Sequence, residues 1–222
     1  MFTIAESLIL LGTDDEKGTS VSSASLGYGL AGSILAELAM MERLSLEDDK
    51  VIIIDDTLTE VSYFNSVIEE IKADHKARTV EYWVNHFANN TKAVHDPVYL
   101  SLVDKGILKE EDKTYFFFFN TNVYPTVDDR PEQAIRAHVK DIVFNGKAPD
   151  PEIALLLSII KTCDLTVEVF GKKDKKAAEK KLDEIIDNNE YGKAVSKAVE
   201  DMEAAILTAA TTAVMTTTVI NN

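Results

Sequence analysis

An apolar segment in the first part of the chain limits the fold more than any other feature. Residues 26–42 read LGYGLAGSILAELAMME and are free of Pro, which favours one continuous helix. Small side chains recur along it, and they let another helix approach closely: Gly29, Ala31, Gly32, Ser33 and Ala36. The segment therefore predicts a buried helix in close contact with a neighbouring one.

Most of the remaining chain shows helical patterns. Five Pro and nine Gly are few for 222 residues, which favours long regular elements over a loop-rich β fold. Helices are predicted over residues 4–12, 61–73, 80–87, 95–105, 131–144, 151–161 and 172–187, and from Tyr191 nearly to the end. Two short strands are predicted within residues 43–56, around an acidic turn. We therefore predict a mainly α, single globular domain over residues 1–222, with minor β.

A β-hairpin is predicted within residues 107–126, around an unusual aromatic run. Its turn is assigned to Asn120, Thr121 and Asn122, which are residues that favour turns. The strand before the turn carries Phe116, Phe117, Phe118 and Phe119, so both faces of that strand are apolar. Such faces need a cover, which can be the core, a partner or lipid.

Charge and composition exclude several classes of function. The net charge of −15 opposes non-specific nucleic-acid binding, which needs clustered Lys and Arg. The single cysteine, Cys163, excludes an internal disulfide framework and fits a reducing, cytoplasmic setting. The start of the chain lacks the basic residues of a secretory signal. Residues 204–222 are uncharged but rich in Ala and Thr, which predicts a buried central helix rather than a membrane span.

The best enzyme hypothesis is dinucleotide binding by the G-x-G-x-x-G pattern of residues 27–32. That fold needs a buried strand directly before the first glycine, and the preceding residues, TSVSSASL, are too polar for one. The four histidines lack metal-ligand spacing, and Cys163 has apolar neighbours that favour an inert thiol. We predict no catalytic residues, no metal and no cofactor, hence a protein that is not an enzyme.

Several phrases, in one order, carry a resemblance to a known family. They are LILLGTDDEKG, YGLAGSILAELAMMERLSL, LVDKGIL, the aromatic hairpin that closes on Tyr124 and Pro125, and GKAPDPEIALLLSII. Together they are similar to the Golgi phosphoprotein 3 (GPP34) family, over nearly the whole chain. The resemblance implies packed helices around a hydrophobic central helix, and a peripheral protein on the cytosolic membrane face. The basic N-terminal arm of eukaryotic members has no counterpart here, which suggests a prokaryotic member.

The resemblance also implies an adaptor function. Eukaryotic members recognise phosphatidylinositol 4-phosphate and the cytosolic tails of membrane enzymes, so an anionic membrane lipid is the expected ligand. The family's headgroup arginine falls on Ala31 here and its aromatic residue near Ser22. Its two basic residues fall on Lys92 and His95, whose i, i+3 spacing predicts one helical face. Lys92 and His95 are therefore the candidate headgroup ligands, with the histidine cationic only below about pH 6.5.

In the family the hairpin enters the bilayer or contacts another subunit. The corresponding residues here are Phe116, Phe117, Phe118, Phe119, Val123 and Tyr124. Two or three buried Phe offer about 1.5–3 kcal/mol each, which alone gives marginal membrane attachment. The alternative is a protein-interaction module, a homo-oligomer through the hairpin, with no lipid role.

Overall fold

The chain is mainly helical, as the sequence predicts. A computed structural model describes residues 2–13, 23–90, 92–115, 119–187, 204, 207–209 and 211. In chain order, the elements within this part are α1 (Ile4–Gly12), α2 (Ser23–Met40), β1 (Leu44–Glu47), β2 (Lys50–Ile53), α3 (Ser62–Ala73), α4 (Val80–Asn89), α5 (His95–Asp104), β3 (Glu111–Tyr115), β4 (Phe119–Val123), α6 (Arg130–Asn145), α7 (Pro151–Thr162), α8 (Thr166–Phe170) and α9 (Lys175–Asp187). The four strands form two separate antiparallel pairs, β1 with β2 and β3 with β4.

The centre of the fold is the packing of α1 against α2 and α7. Every residue of α1 is buried, and its start is fixed by a capping box between Thr3 and Glu6. Helix α2 also packs along α4, while α5, α6 and α8 contact α1 from other sides. Helices α1 and α2 are therefore the hydrophobic centre of the described residues.

Glycines of α2 allow this close approach, as predicted. A Cβ added at Gly29 would lie 2.9 Å from Leu8 Cδ2, 3.1 Å from Cys163 Sγ and 3.2 Å from Ile159 Cγ2. Leu8 belongs to α1, and Ile159 and Cys163 belong to α7 and its C-cap, so Gly29 lies where α2 meets α1 and α7. The pattern of residues 27–32 thus serves helix packing. Since α2 already begins at Ser23, no strand directly precedes Gly27, which argues against the dinucleotide fold.

The first strand pair closes with the predicted acidic turn. Glu47 pairs with Lys50, and the two residues between them, Asp48 and Asp49, have φ values of 48° and 60°. Positive φ at both central positions is the type I′ geometry that suits a two-residue hairpin. Asp tolerates this conformation better than most residues, which explains the acidic pair here.

The second strand pair corrects the predicted hairpin. Tyr115 pairs with Phe119, Lys113 with Thr121 and Asp112 with Asn122, so the expected turn residues Asn120, Thr121 and Asn122 lie within β4. The polar run was interpreted as a turn, but its residues face the polar residues 112–114 across the ladder. Residues 116–118 lie between the strands and outside the described part of the chain.

The C-terminal segment is covered only in part. The predicted helix from Tyr191 lies largely outside the described residues, among which Ala209 is buried and Ala204 is exposed. In the described part of the chain, no helix has both the length and the apolar character that crossing a membrane requires.

The carboxyl group of Glu37, in α2, lies against the start of α1 and gives the stability of the fold a testable pH dependence. Glu37 of α2 accepts a hydrogen bond from the Ala5 backbone N–H over 3.4 Å. Burial raises the pKa of Glu37 from 4.5 to about 8, although the backbone N–H groups of Ile4 and Ala5 oppose the shift. Between these two pKa values the folded state holds a proton that the unfolded state has lost. Stability from this group is therefore complete below pH 4.5 and is lost as pH rises toward 8.

We expect Glu37→Gln to flatten this pH dependence, because glutamine keeps the neutral form at every pH. In the wild type, the free energy of unfolding should fall by at most about 1.4 kcal/mol per pH unit between the two pKa values. Urea unfolding at pH 5.5, 7.0 and 8.5 measures it, with Glu47→Gln, a change at the exposed last residue of β1, as the control. A slope that is the same in wild type and Glu37→Gln would contradict the assignment.

Candidate functional site

The two predicted headgroup ligands lie at the start of α5. Lys92 is exposed and belongs to the turn before the helix, whereas His95 is the first helical residue. The helix begins here because Pro97 fits its first turn, where no intrahelical partner is required for the missing N–H. Lys92 therefore lies in the turn before the helix, whereas the prediction placed both residues within one helix.

His95 lies against α2 and the end of α4. A Cβ added at Gly27 would be 3.0 Å from His95 Nε2 and 3.1 Å from the carbonyl oxygen of Ala88. Glycine at position 27 is therefore what leaves room for the imidazole between the three helices. His95 Nε2 is buried and has no hydrogen-bond partner among the described residues.

This environment sets the charge of His95. Burial lowers the pKa of the imidazole below its usual 6.5, and the nearby Asp96 carboxylate opposes that shift less strongly. His95 is therefore neutral at pH 7 and offers a polar atom but no positive charge. Lys92 carries the positive charge of the candidate pair.

The two remaining family positions do not add charge. Ala31, at the position that the resemblance assigns to an arginine, is fully buried inside α2. Ser22, at the approximate position of the aromatic residue, lies outside the described residues. The described part of the candidate site thus consists of Lys92, His95 and the glycine that seats the histidine, Gly27.

The base of the hairpin is anchored in the core. Val123 and Tyr124 are 1% and 6% exposed. The Tyr124 ring stacks on Tyr99 of α5, with centroids 4.5 Å apart and an interplanar angle of 16°. The Tyr99 hydroxyl in turn lies 3.3 Å from Thr13 Oγ1, at the end of α1. Val123 and Tyr124 are therefore covered by the protein itself, and Phe116, Phe117 and Phe118 fall outside the described residues.

The described residues do not bring together the groups of a catalytic centre. Cys163 is fully buried, and burial raises the pKa of its thiol to about 12, which keeps it protonated. No group of three His, Cys, Asp or Glu side chains in the described part of the chain could hold a metal ion.

Sequence reasoning missed two features of this region. The first is the contact of Gly27 with His95. A glycine within an apolar helix was the sequence feature that could have predicted a close neighbour there. The second is the burial of the His95 ring, which depends on three helices that are distant in sequence. Burial, and hence charge, could not be assigned from the spacing of Lys92 and His95 alone.

The fold and the candidate site define a mainly helical globular domain with a buried helix pair and a hairpin whose base packs against α5. The family model described as Golgi phosphoprotein 3 (GPP34) matches residues 4–202, and the chain belongs to that family. A curated relative, the vacuolar protein sorting-associated protein 74 of Eremothecium gossypii, is 24% identical over 163 residues. The match covers 64% of this chain and 49% of the relative, so the chain spans about half the relative's length. The suggested prokaryotic source stays a prediction.

Proposed function

We propose that this chain is a peripheral membrane adaptor that binds anionic lipid headgroups beside the start of α5. The observation that carries the proposal is Lys92, exposed at the position that the family resemblance assigns to a headgroup ligand. In the described structure Lys92 has no ion-pair partner, so its ammonium group is available to a phosphate. The Nε2 of His95, three residues later, is unpartnered among the described residues but buried, so Lys92 is the exposed group that would meet the phosphate.

The chemistry of the pair limits its selectivity. A lysine is a point charge that does not form the bidentate contacts of an arginine, and His95 is neutral at pH 7. We therefore expect recognition of negative charge first, with a modest preference for a phosphomonoester such as phosphatidylinositol 4-phosphate. The adaptor activity and the cytosolic membrane location are proposed from membership of the family.

We expect Lys92→Gln to weaken binding to anionic vesicles about fivefold, since a lysine near such a surface contributes about 1 kcal/mol. Co-sedimentation at moderate salt would compare phosphatidylcholine vesicles with vesicles that contain phosphatidylserine or phosphatidylinositol 4-phosphate. Lys50→Gln, an exposed lysine on β2, is the matched control. Lowering the pH from 7.5 to 6.5 should not strengthen binding through His95. Equal partition of Lys92→Gln and Lys50→Gln would count against the proposed site.

A second candidate function is a protein-interaction module that oligomerises through the hairpin. The buried Ala31 and the neutral His95 favour it, because they leave the headgroup site with little charge. The clamp of Tyr124 on Tyr99 also holds the hairpin base in a fixed position, which suits a protein contact. Sedimentation velocity of wild type and Phe117→Ser/Phe119→Ser tests it. A wild type that stays monomeric at high concentration would eliminate this candidate.

A further inference from the structure

Positive charge is concentrated in one short stretch of this acidic chain. Residues 172–181 contain six lysines and two acids, in a protein whose net charge is −15. The lysines are Lys172, Lys173, Lys175, Lys176, Lys180 and Lys181. The stretch covers the turn after α8 and the first half of α9.

Helix α9 turns most of these lysines outward. Its inner face is held by Ala178 and Leu182, both fully buried. Lys172, Lys173 and Lys176 are exposed and make no ion pair with the described residues, and Lys180 is 79% exposed with Glu184 at 4.0 Å. Lys175, by contrast, lies near Asp164 and Glu179. We call Lys172, Lys173, Lys176 and Lys180 the lysine face.

The order of charges along α9 opposes helix stability. The first turn contains lysines and no acid, and the last turn contains acids and no basic residue. The helix macrodipole favours the reverse order, with acids at the start and bases at the end. The helix macrodipole therefore gives no reason for the lysines at this end of α9.

We propose that the lysine face contacts the surface of an anionic lipid bilayer. A cluster of four to eight basic residues on an amphipathic helix is the usual sequence sign of such binding. The residues are lysines on an open face, which suits a diffuse layer of charge, whereas bidentate recognition of a phosphopeptide favours arginine. This inference rests on the membrane-peripheral function proposed above and adds a second contact that is independent of Lys92.

A neighbouring pocket favours lipid over an acidic protein as the partner. The end of α6, the following loop and α9 enclose a pocket of about 330 Å³. Its lining combines apolar side chains (Ile142, Phe144 and Ile185) with Lys147, Lys181 and Glu184, and Lys181 pairs with Glu184 over 2.7 Å. Phe144 is 39% exposed, so an apolar ring and lysines share one surface. That combination fits the boundary between lipid headgroups and acyl chains.

The test is vesicle binding by the full chain with Lys172→Gln/Lys173→Gln/Lys176→Gln. The vesicles are phosphatidylcholine alone, or phosphatidylcholine with phosphatidylserine or phosphatidylinositol 4-phosphate at equal surface charge. At about fivefold per lysine, the triple variant should bind both anionic vesicles about 100-fold more weakly. The matched control is Lys50→Gln/Lys76→Gln/Lys140→Gln, which changes the net charge equally on other elements. Circular dichroism checks that both variants are folded.

Each outcome decides between defined alternatives. A loss in the triple variant, with the control close to wild type, supports the lysine face. Equal binding by the two triple variants overturns it, and so does a wild type that binds no vesicle. Tighter binding of wild type to poly-glutamate than to vesicles of the same charge also overturns it, in favour of an acidic protein partner.

Lys92→Gln separates this inference from the headgroup proposal. If phosphatidylserine binding depends on the lysine face while Lys92→Gln has no effect on either lipid, the headgroup site fails and the lysine face stands. If binding depends on Lys92 and not on the lysine face, the inference fails and the headgroup site stands.

Discussion

Replacement of Gly29 by valine should destabilise the folded domain by about 3 kcal/mol. Even the Cβ of alanine would lie within 3.2 Å of atoms from Leu8, Cys163 and Ile159, and valine adds two further methyl groups. Overpacking of this kind forces α2 away from α1 and α7 or moves side chains off their rotamers. The gain in helix propensity over glycine recovers only a few tenths of a kcal/mol. Urea unfolding measures the difference.

A double-mutant cycle identifies the crowded contact. Leu8 is fully buried, so Leu8→Ala alone should cost about 2–5 kcal/mol through the cavity that it leaves. In the Gly29→Val background the valine can occupy part of that space, and Leu8→Ala should cost less. Strictly additive effects would show that the strain of Gly29→Val lies elsewhere.

Lys105→Met is expected to cost about 2–3 kcal/mol at pH 7, because it leaves the Glu6 carboxylate buried without its cation. Glu6 is 1% exposed at its side chain, and the two Nζ–Oε distances to Lys105 are 2.5 and 2.6 Å. Ser101 Oγ and the Thr3 backbone N–H also donate to this carboxylate, at 2.6 and 3.0 Å. These two remaining hydrogen bonds keep the cost below that of a fully isolated buried charge.

Lys109→Met is the matched control for Lys105→Met. Lys109 pairs with Glu111 over 2.6 Å, but both side chains are exposed, at 55% and 41%. Ion pairs in that setting contribute less than about 1 kcal/mol. Chemical unfolding of both variants compares two ion pairs of similar N–O distance, one with a buried carboxylate and one exposed. Equal losses would mean that the burial of Glu6 does not determine the strength of its pair.

Periodicity and caps predicted most of the helices, because the relevant interactions lie within each segment. Asp150 and Pro151 show this: the Asp150 carboxylate accepts the Ile153 N–H at 2.8 Å, at the predicted start of α7. The hairpin turn was predicted in the wrong place because Asn and Thr also occur in strands that face polar neighbours. Helix α8 was missed because its five residues are too few to show a period.

The positions of the candidate site are a prediction from the resemblance, and the charge of His95 could not be predicted in the same way. The resemblance pointed to Lys92 and His95, and sequence alone gave the histidine its ordinary titration. The neutral state of His95 follows from contacts with α2 and α4, which no local pattern contains. For the lysine face the opposite holds. The number of lysines can be read from the sequence, but the proposed role depends on which side of α9 is buried, and only the structure shows that.

Helix α5 gives the candidate site and the hairpin a common rigid support. His95 begins the helix, and Tyr99, which clamps the hairpin through Tyr124, follows one turn later, about 6 Å along the axis. Two weak attachments held at a fixed separation act as one bivalent ligand, because the first contact places the second at a high effective concentration. The family resemblance also implies a hairpin contact with the bilayer. If the hairpin makes that contact, α5 would hold it at a fixed distance from the proposed headgroup contact, so that either contact would favour the other.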